Sequence, residues 1–256
     1  MRPQPVGAGS YAGWAWGHPE DRLIVTLAEG FDETPSLSTT DQQRAQGHGT
    51  WTGDDYFVGR SLTLTFAVLG ANNDDLRELL ALIELAWWPD SIDRPLRLFD
   101  GVRYLTARVR RRRFEHFRAG AASGTGLVVV EFYGADPFYH GDDVTVPLDA
   151  TAPVVVRNPG VPVPVRFTLH GPATNPSLTL VESGAVLHFP VVLGGGDVLT
   201  IDGDMRSFRL NGAPQAIALA SGARWWGLAK GTQHVTYTES HGGPGAAALT
   251  FTPSWT

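Results

Sequence analysis

Hydrophobic and polar residues alternate along short runs separated by glycine and proline, the period of two that places successive side chains on opposite faces of a β-strand. In residues 61–69, SLTLTFAVL, Leu62, Leu64, Phe66 and Val68 share one face while small or polar residues take the other. The same reading predicts strands over 23–27, 96–99, 104–117 and 126–133. One segment breaks the period. In NNDDLRELLALIELAWW, residues 72–88, Leu76, Leu79, Leu80, Ile83, Ala86 and Trp87 recur at helical spacing. Asn73 is placed to cap this segment, Asp74 and Asp75 suit the positive end of the helix dipole, and Pro89 stops it. A helix over 73–88 is predicted, amphipathic and suited to covering a sheet.

The punctuation changes after ADPFYHGDD, residues 135–143. Pro147, Pro153 and Pro159 interrupt valine-rich runs, and 141–154 reads as a linker between an N-terminal domain of residues 1–140 and a second module of residues 155–256. That module repeats strand and turn about eight times at spacings near 8 to 12 residues, the pattern of a β-sandwich. Asp202-Gly203 and Asn211-Gly212 are predicted type I′ hairpin turns, because that turn needs positive φ at both positions. The expected class is mostly β, with strands plus one helix in the first domain and strands alone in the second.

Composition narrows the function. The chain has 256 residues, 43% of them hydrophobic, enough for two cores. With 26 acidic and 20 basic residues its formal net charge is −6, opposite in sign to a protein that coats nucleic acid. Lys230 is the one lysine, so the basic charge is almost all arginine, as a bias toward GC-rich codons or a need for planar guanidinium forks would produce. The absence of cysteine excludes disulfides, thiolate metal sites and a thiol nucleophile. The first residues lack a basic region followed by an apolar core, and no apolar run approaches the length of a membrane span, so the expectation is a soluble protein made in a cytoplasm without membrane insertion.

No catalytic constellation emerges. The Gly194-Gly195-Gly196-Asp197 segment lacks the Gly-Lys-Ser/Thr sequence of a phosphate loop and reads as a loop between strands. Eight histidines are scattered without metal-ligand spacing, and no metal or cofactor is assigned. Ser123 and Ser221 lie in glycine-rich turns, and the carboxylates pair as Asp54-Asp55, Asp74-Asp75 and Asp142-Asp143, as turns and caps do. Trp14 with Trp16, and Trp225 with Trp226, suit either core or subunit packing, or stacking on the CH-rich face of a sugar.

The most unusual stretch is YLTARVRRRRFEHF, residues 104–117, with Arg108 followed by Arg110, Arg111, Arg112 and Arg113. On a regular strand Arg108, Arg110 and Arg112 point one way and Val109, Arg111 and Arg113 the other. Arginine on both faces suits a subunit interface that meets acidic loops of a neighbour, a solvated edge that blocks wrong pairing, or a nucleic-acid contact.

Several of these stretches together resemble the distal tail (Dit) family of siphophages. In the first domain the resemblance rests on Gly30-Phe31-Asp32, His48-Gly49, Asp54 and Tyr56 before Gly59-Arg60, the following strand and helix, and the Ala135-Asp136-Pro137-Phe138 corner. In the second it rests on Asn158-Pro159-Gly160, VLTIDGDMRSFRLNG and WWGLAKGTQHVTYT. The resemblance implies an N-terminal β-sandwich or split barrel with one helix, followed by a galectin-like, jelly-roll β-sandwich. It also implies a structural virion protein at the distal end of a phage tail, made in the host cytoplasm. Such subunits form a ring, usually a homo-hexamer, that joins the tail-tube protein to the tail hub, with the tape-measure protein nearby and DNA passing through a central channel without specific binding. The family has no catalytic residues to carry over. Arg108, Arg110, Arg111, Arg112 and Arg113 are then candidate interface residues, and Trp225 and Trp226 are candidates for host-glycan attachment.

Overall fold

The computed structural model describes residues 8–17, 21–31, 33–44, 48, 50–98, 103–116, 124–148, 150, 152–240 and 246–256. Asp32, Gly49, Phe99, Phe117 and Ser123 lie outside the described residues. The chain divides into two compact units between Tyr139 and His140.

The N-terminal unit is built on antiparallel strands in the order Trp14–Trp16, Gly9–Tyr11, Arg94–Leu98, Arg103–His116, Thr125–Gly134, Arg60–Leu69 and Leu23–Glu29. The predicted alternation governs it. Leu62, Leu64, Phe66 and Val68 are all buried, opposite Val128, Val130 and Phe132 of the next strand. The terminal strands approach each other, so the sheet curls into a split barrel. An aromatic cluster fills the interior: Tyr11 meets Phe132 at 4.9 Å, Trp16 meets Phe66 at 5.1 Å, and Trp87 touches both phenylalanines. Each such buried ring contributes about 2 to 3 kcal/mol of hydrophobic stabilisation.

The helix spans Asn73–Ala86 and buries Leu76, Leu79, Leu80 and Ile83. Its cap is Asn72 rather than the expected Asn73. Asn72 has the extended backbone of an N-cap, and its side-chain oxygen accepts from the backbone N–H groups of Asp74 and Asp75 at 3.0 Å. The helix stops two residues short of the expected 88, with Trp87 as the C-cap ahead of Pro89. The outward helical face keeps Leu82, Leu85 and Trp88 exposed.

The C-terminal unit is a β-sandwich. One sheet runs Val144–Leu148, Ala247–Phe251, Arg166–His170, Val198–Asp202, Ser207–Leu210, Ala213–Gln215; the other runs Val154–Asn158, Gly231–Thr238, Ser177–Leu180, Ala185–His188. Their inner faces enclose Phe167, Leu169, Leu178, Leu187, Leu199, Ile201, Val235 and Leu249. The expected linker over 141–154 is instead part of this sandwich. Val144–Leu148 pairs along Ala247–Phe251, with Pro147 opposite Ala248, on the sheet edge where a residue without N–H does least harm.

Turn chemistry separates the two predicted hairpins. Asn211 and Gly212 have φ of 52° and 81° in a two-residue loop between Leu210 and Ala213, as a type I′ turn requires. Asp202-Gly203 does not form such a turn. Asp202 pairs with Ser207, and its carboxylate accepts from the N–H groups of Asp204 and Met205, which stabilises a longer loop with Arg206 at positive φ. The Gly194–Asp197 segment is the expected loop between strands, tied down where Asp197 accepts from Gly194 N–H and from the Asn211 amide.

Asn158-Pro159-Gly160 is a structural knot. The buried Asn158 donates to the carbonyls of Val161 and Leu228 and accepts from Gly160 N–H. A Cβ at Gly160 would meet Ser254 O at 1.8 Å, so no other residue fits there. Asn158→Ala removes the side-chain partner of the Val161 carbonyl and of Gly160 N–H, while the Leu228 carbonyl keeps Val163 N–H, and is expected to destabilise the C-terminal unit by about 2 kcal/mol in chemical denaturation.

Acid should loosen the same unit. Hydrogen bonds from Asn211 and then from Gly194 N–H hold the Asp197 carboxyl below its usual range, and the His234 ring and then its N–H do the same for Glu182. A depressed folded pKa gives stability that is present above the unfolded value and lost as pH falls through the folded one. Melting temperature should therefore decline below about pH 4, and Asp197→Asn should make that decline shallower.

Candidate subunit interface

The arginine strand, Arg103–His116, is not regular. A β-bulge interrupts its pairing with Thr125–Gly134: Val109 faces Phe132, and the next pair is Arg111 with Glu131. The extra residue, Arg110, shifts every later side chain to the other face. Leu105, Ala107 and Val109 point into the barrel before the bulge. After it Arg112 and Phe114, opposite the buried Val130 and Val128, take the inward side. Arg108, Arg111 and Arg113 pair with Tyr133, Glu131 and Val129 on the outward face, and Arg110 stacks over Tyr133 with Cζ 3.5 Å from the ring centroid.

The expected division, with Arg108, Arg110 and Arg112 together against Arg111 and Arg113, is therefore corrected. Four arginines share the outer face, and Arg112 alone turns inward. Strict alternation fails because one inserted residue reverses the phase of the strand.

Arg112 is the structural member of the run. Its side chain is 11% exposed; it donates to the carbonyl oxygen and carboxylate of Glu84 and stacks 4.6 Å above the Trp88 ring. Glu84 lies in the last turn of the helix, where carbonyls lack intrahelical partners and the dipole favours a cation. Arg112 thus supplies the positive charge that the last helical turn itself lacks.

The outer arginines are held differently from one another. Arg108 bonds Asp93 at 2.9 Å, whereas Arg111 lies 3.8 Å from Glu131 with 87% of its side chain exposed. Arg110 and Arg113 are also exposed. Thr63 and Thr65 extend this face on the neighbouring strand, and Leu27 stands exposed on the edge strand beyond.

A second feature carries no sequence signal of its own. Leu37–Thr39 pairs with Asp55–Phe57, and Gln42–Gln43 pairs with Thr50–Trp51, so residues 37–43 and 50–57 form an antiparallel ribbon. Every strand residue in it is exposed, including Leu37, Trp51, Tyr56 and Phe57. Among the described residues neither ladder pairs with a third strand.

Motifs distant in sequence converge near the base of the barrel. The Phe31 carbonyl accepts from Tyr139 Oη at 3.1 Å and from buried Arg60 at 3.4 Å, and the Arg60 guanidinium lies 4.4 Å from the Tyr139 ring. Gly30-Phe31, Gly59-Arg60 and the corner ending at Phe138 are therefore neighbours, and Tyr139 joins them.

Trp225 and Trp226 are half-buried and pack on the C-terminal core, Trp226 edge-on to Phe167 at 5.1 Å and Trp225 against Phe208 at 5.8 Å. No group of three His, Asp or Glu side chains among the described residues could hold a metal ion. Among the same residues no helix is long and apolar enough to cross a membrane.

The N-terminal unit is a split barrel with one helix and the C-terminal unit a β-sandwich, a pairing that can be compared with known folds. Residues 159–255 match the family model of the siphovirus-type tail component, C-terminal domain. The crystal structure of the SPP1 Dit (gp 19.1) protein, described as a paradigm of the hub adsorption apparatus in phages infecting Gram-positive hosts, superposes with a TM-score of 0.71, covering 92% of this chain and 94% of that one at 17% identity. Two structures of the phage p2 baseplate in its activated conformation also align. The one with Ca covers 92% of each chain at 7% identity and a TM-score of 0.45. The one with Sr covers 96% of this chain and 97% of that one at 8% identity and 0.47. No curated protein matches. The C-terminal match and the superposition together show that the chain has the fold seen in the SPP1 Dit protein.

The arginines should separate by mutation. Arg112→Ser is expected to lower stability by about 2 kcal/mol, from loss of a charged hydrogen bond and of the stacking on Trp88. Arg111→Ser or Arg113→Ser should change the melting temperature little, since exposed pairs contribute about 0 to 1 kcal/mol. Thermal denaturation of the three variants checks the division.

Proposed function

We propose that this chain is a distal tail subunit that assembles into a ring, a homo-hexamer, between the tail tube and the baseplate or tail tip of a long, non-contractile phage tail. The N-terminal units form the ring and leave a channel for DNA. Its partners are further copies of itself, the tail-tube protein, the tail hub and the tape-measure protein, and its place is the virion. Its role is structural rather than enzymatic.

The observation that carries this reading is the match of residues 159–255 to a siphovirus tail-component domain on a chain that has the Dit fold along 92% of its length. Surface physics supports it. The N-terminal unit presents an arginine-bearing sheet face, an exposed ribbon and an exposed apolar helix face holding Leu82, Leu85 and Trp88. Distinct, non-self-complementary surfaces on one unit suit head-to-tail contacts, which give a ring when the rotation closes. The net charge of −6 suits a channel through which a polyanion must slide, because a strongly basic wall would hold phosphates.

Purified protein, alone and mixed with the tail-tube and tail-hub proteins of the same phage, should yield ring-shaped particles of hexamer mass by light scattering and negative-stain microscopy. A monomer at every concentration and with every partner overturns the reading.

A further inference from the structure

We infer that the ribbon of residues 37–43 and 50–57 of one copy docks on the outer arginine face of the next, so that these two surfaces form the head-to-tail contact. The inference rests on the ring reading and names the two sides of its interface.

The bulge gathers Arg108, Arg110, Arg111 and Arg113 on one face of the barrel. The helix packs on the strands Arg60–Leu69 and Thr125–Gly134, whose inward side chains are the buried ones, and among the described residues their outward side chains are mostly half-exposed. The ribbon has the opposite character. Its described acids are Asp41, Asp54 and Asp55, and its one described base, Arg44, is already turned onto its own Trp51 at 4.6 Å. Two-stranded ribbons without a third strand are marginal in water; here, among the described residues, only Phe57 has a ring partner in the same unit, Phe138 at 5.7 Å, and Leu37, Trp51 and Tyr56 stay exposed for a second surface.

The chemistry of the two surfaces fits beyond charge. Guanidinium groups bind carboxylates through planar forks and also stack on aromatic faces. This chain uses both modes, with Arg108 on Asp93 and Arg110 on Tyr133. The ribbon offers both kinds of acceptor: Asp54 and Asp55 beside Tyr56 and Phe57, with Trp51 nearer the tip. DNA phosphates are the other polyanion such a face could meet. They would leave the acidic, aromatic ribbon without a partner, so a second copy accounts for both surfaces at once.

Charge exchange in the full-length protein tests this. One variant carries Arg111→Glu and Arg113→Glu, the other Asp54→Arg and Asp55→Arg; all four positions are exposed, so both should stay folded, the first melting slightly below wild type because residue 111 lies opposite Glu131. Each alone should self-associate at least about 100-fold more weakly, because like charges then face each other across the contact. The equimolar mixture should assemble again, since alternating copies restore attraction at every contact, and so should one chain carrying all four changes. Wild-type rings together with undiminished assembly of either variant overturn the inference and leave the ring reading standing. Loss in both variants without recovery in the mixture also overturns it, because the surfaces would then act separately. Normal assembly of the Arg111→Glu, Arg113→Glu variant with weakened retention of duplex DNA assigns the face to nucleic acid instead. A wild type that stays monomeric with tube and hub proteins present removes the ring reading and the inference together.

Discussion

The β-bulge at Arg110 is the constraint on which the N-terminal unit depends. Fourteen residues of strand, Arg103–His116, must supply apolar side chains to the barrel at one end and five closely spaced guanidinium groups at the other. Without the inserted residue, Val109, Arg111 and Arg113 would share the inner face, and two cations would enter a core of Phe66, Phe132 and Trp87. Desolvating an unpaired charge costs several kcal/mol, more than any packing gain there could offset. The bulge instead admits one cation, Arg112, at the place where the end of the helix supplies carbonyls and a tryptophan face to receive it.

That solution links helix and sheet. Asn72 and Asp75 hold the helix N-terminus: Asn72 caps it, while Asp75 accepts from Ala71 N–H and from Arg22. Arg112 holds the other end. The helix is thereby fixed at both ends over the barrel interior, and the outward side chains of the same strands are mostly half-exposed. A surface available to a neighbouring subunit is thus a consequence of how the core is closed.

The C-terminal unit solves a different problem with different means. Its core is apolar from both sheets, and its irregularities are confined to turns and to the Asn158 knot, where one amide satisfies two carbonyls and an N–H. Trp225 and Trp226 belong to the same packing, with each ring set against an aromatic neighbour.

Local pattern determined much of this protein. The alternation in residues 61–69, the helical face from Leu76 to Trp87, the sandwich rhythm after residue 155 and the Asn211-Gly212 turn were legible because each depends on neighbours within a few positions. Near misses have the same origin: Asn72 rather than Asn73 caps the helix because the choice rests on backbone angles that either residue type permits. Residues 144–148 looked like linker because prolines are turn signals locally, while their membership of a sheet depends on a partner about 100 residues away. The split of the arginines, the meeting of Phe31, Arg60 and Tyr139, and the exposed ribbon of residues 37–43 and 50–57 were decided by tertiary structure alone. A bulge leaves no mark on periodicity until the opposite strand fixes the register, and exposure is a property of what the rest of the chain fails to cover.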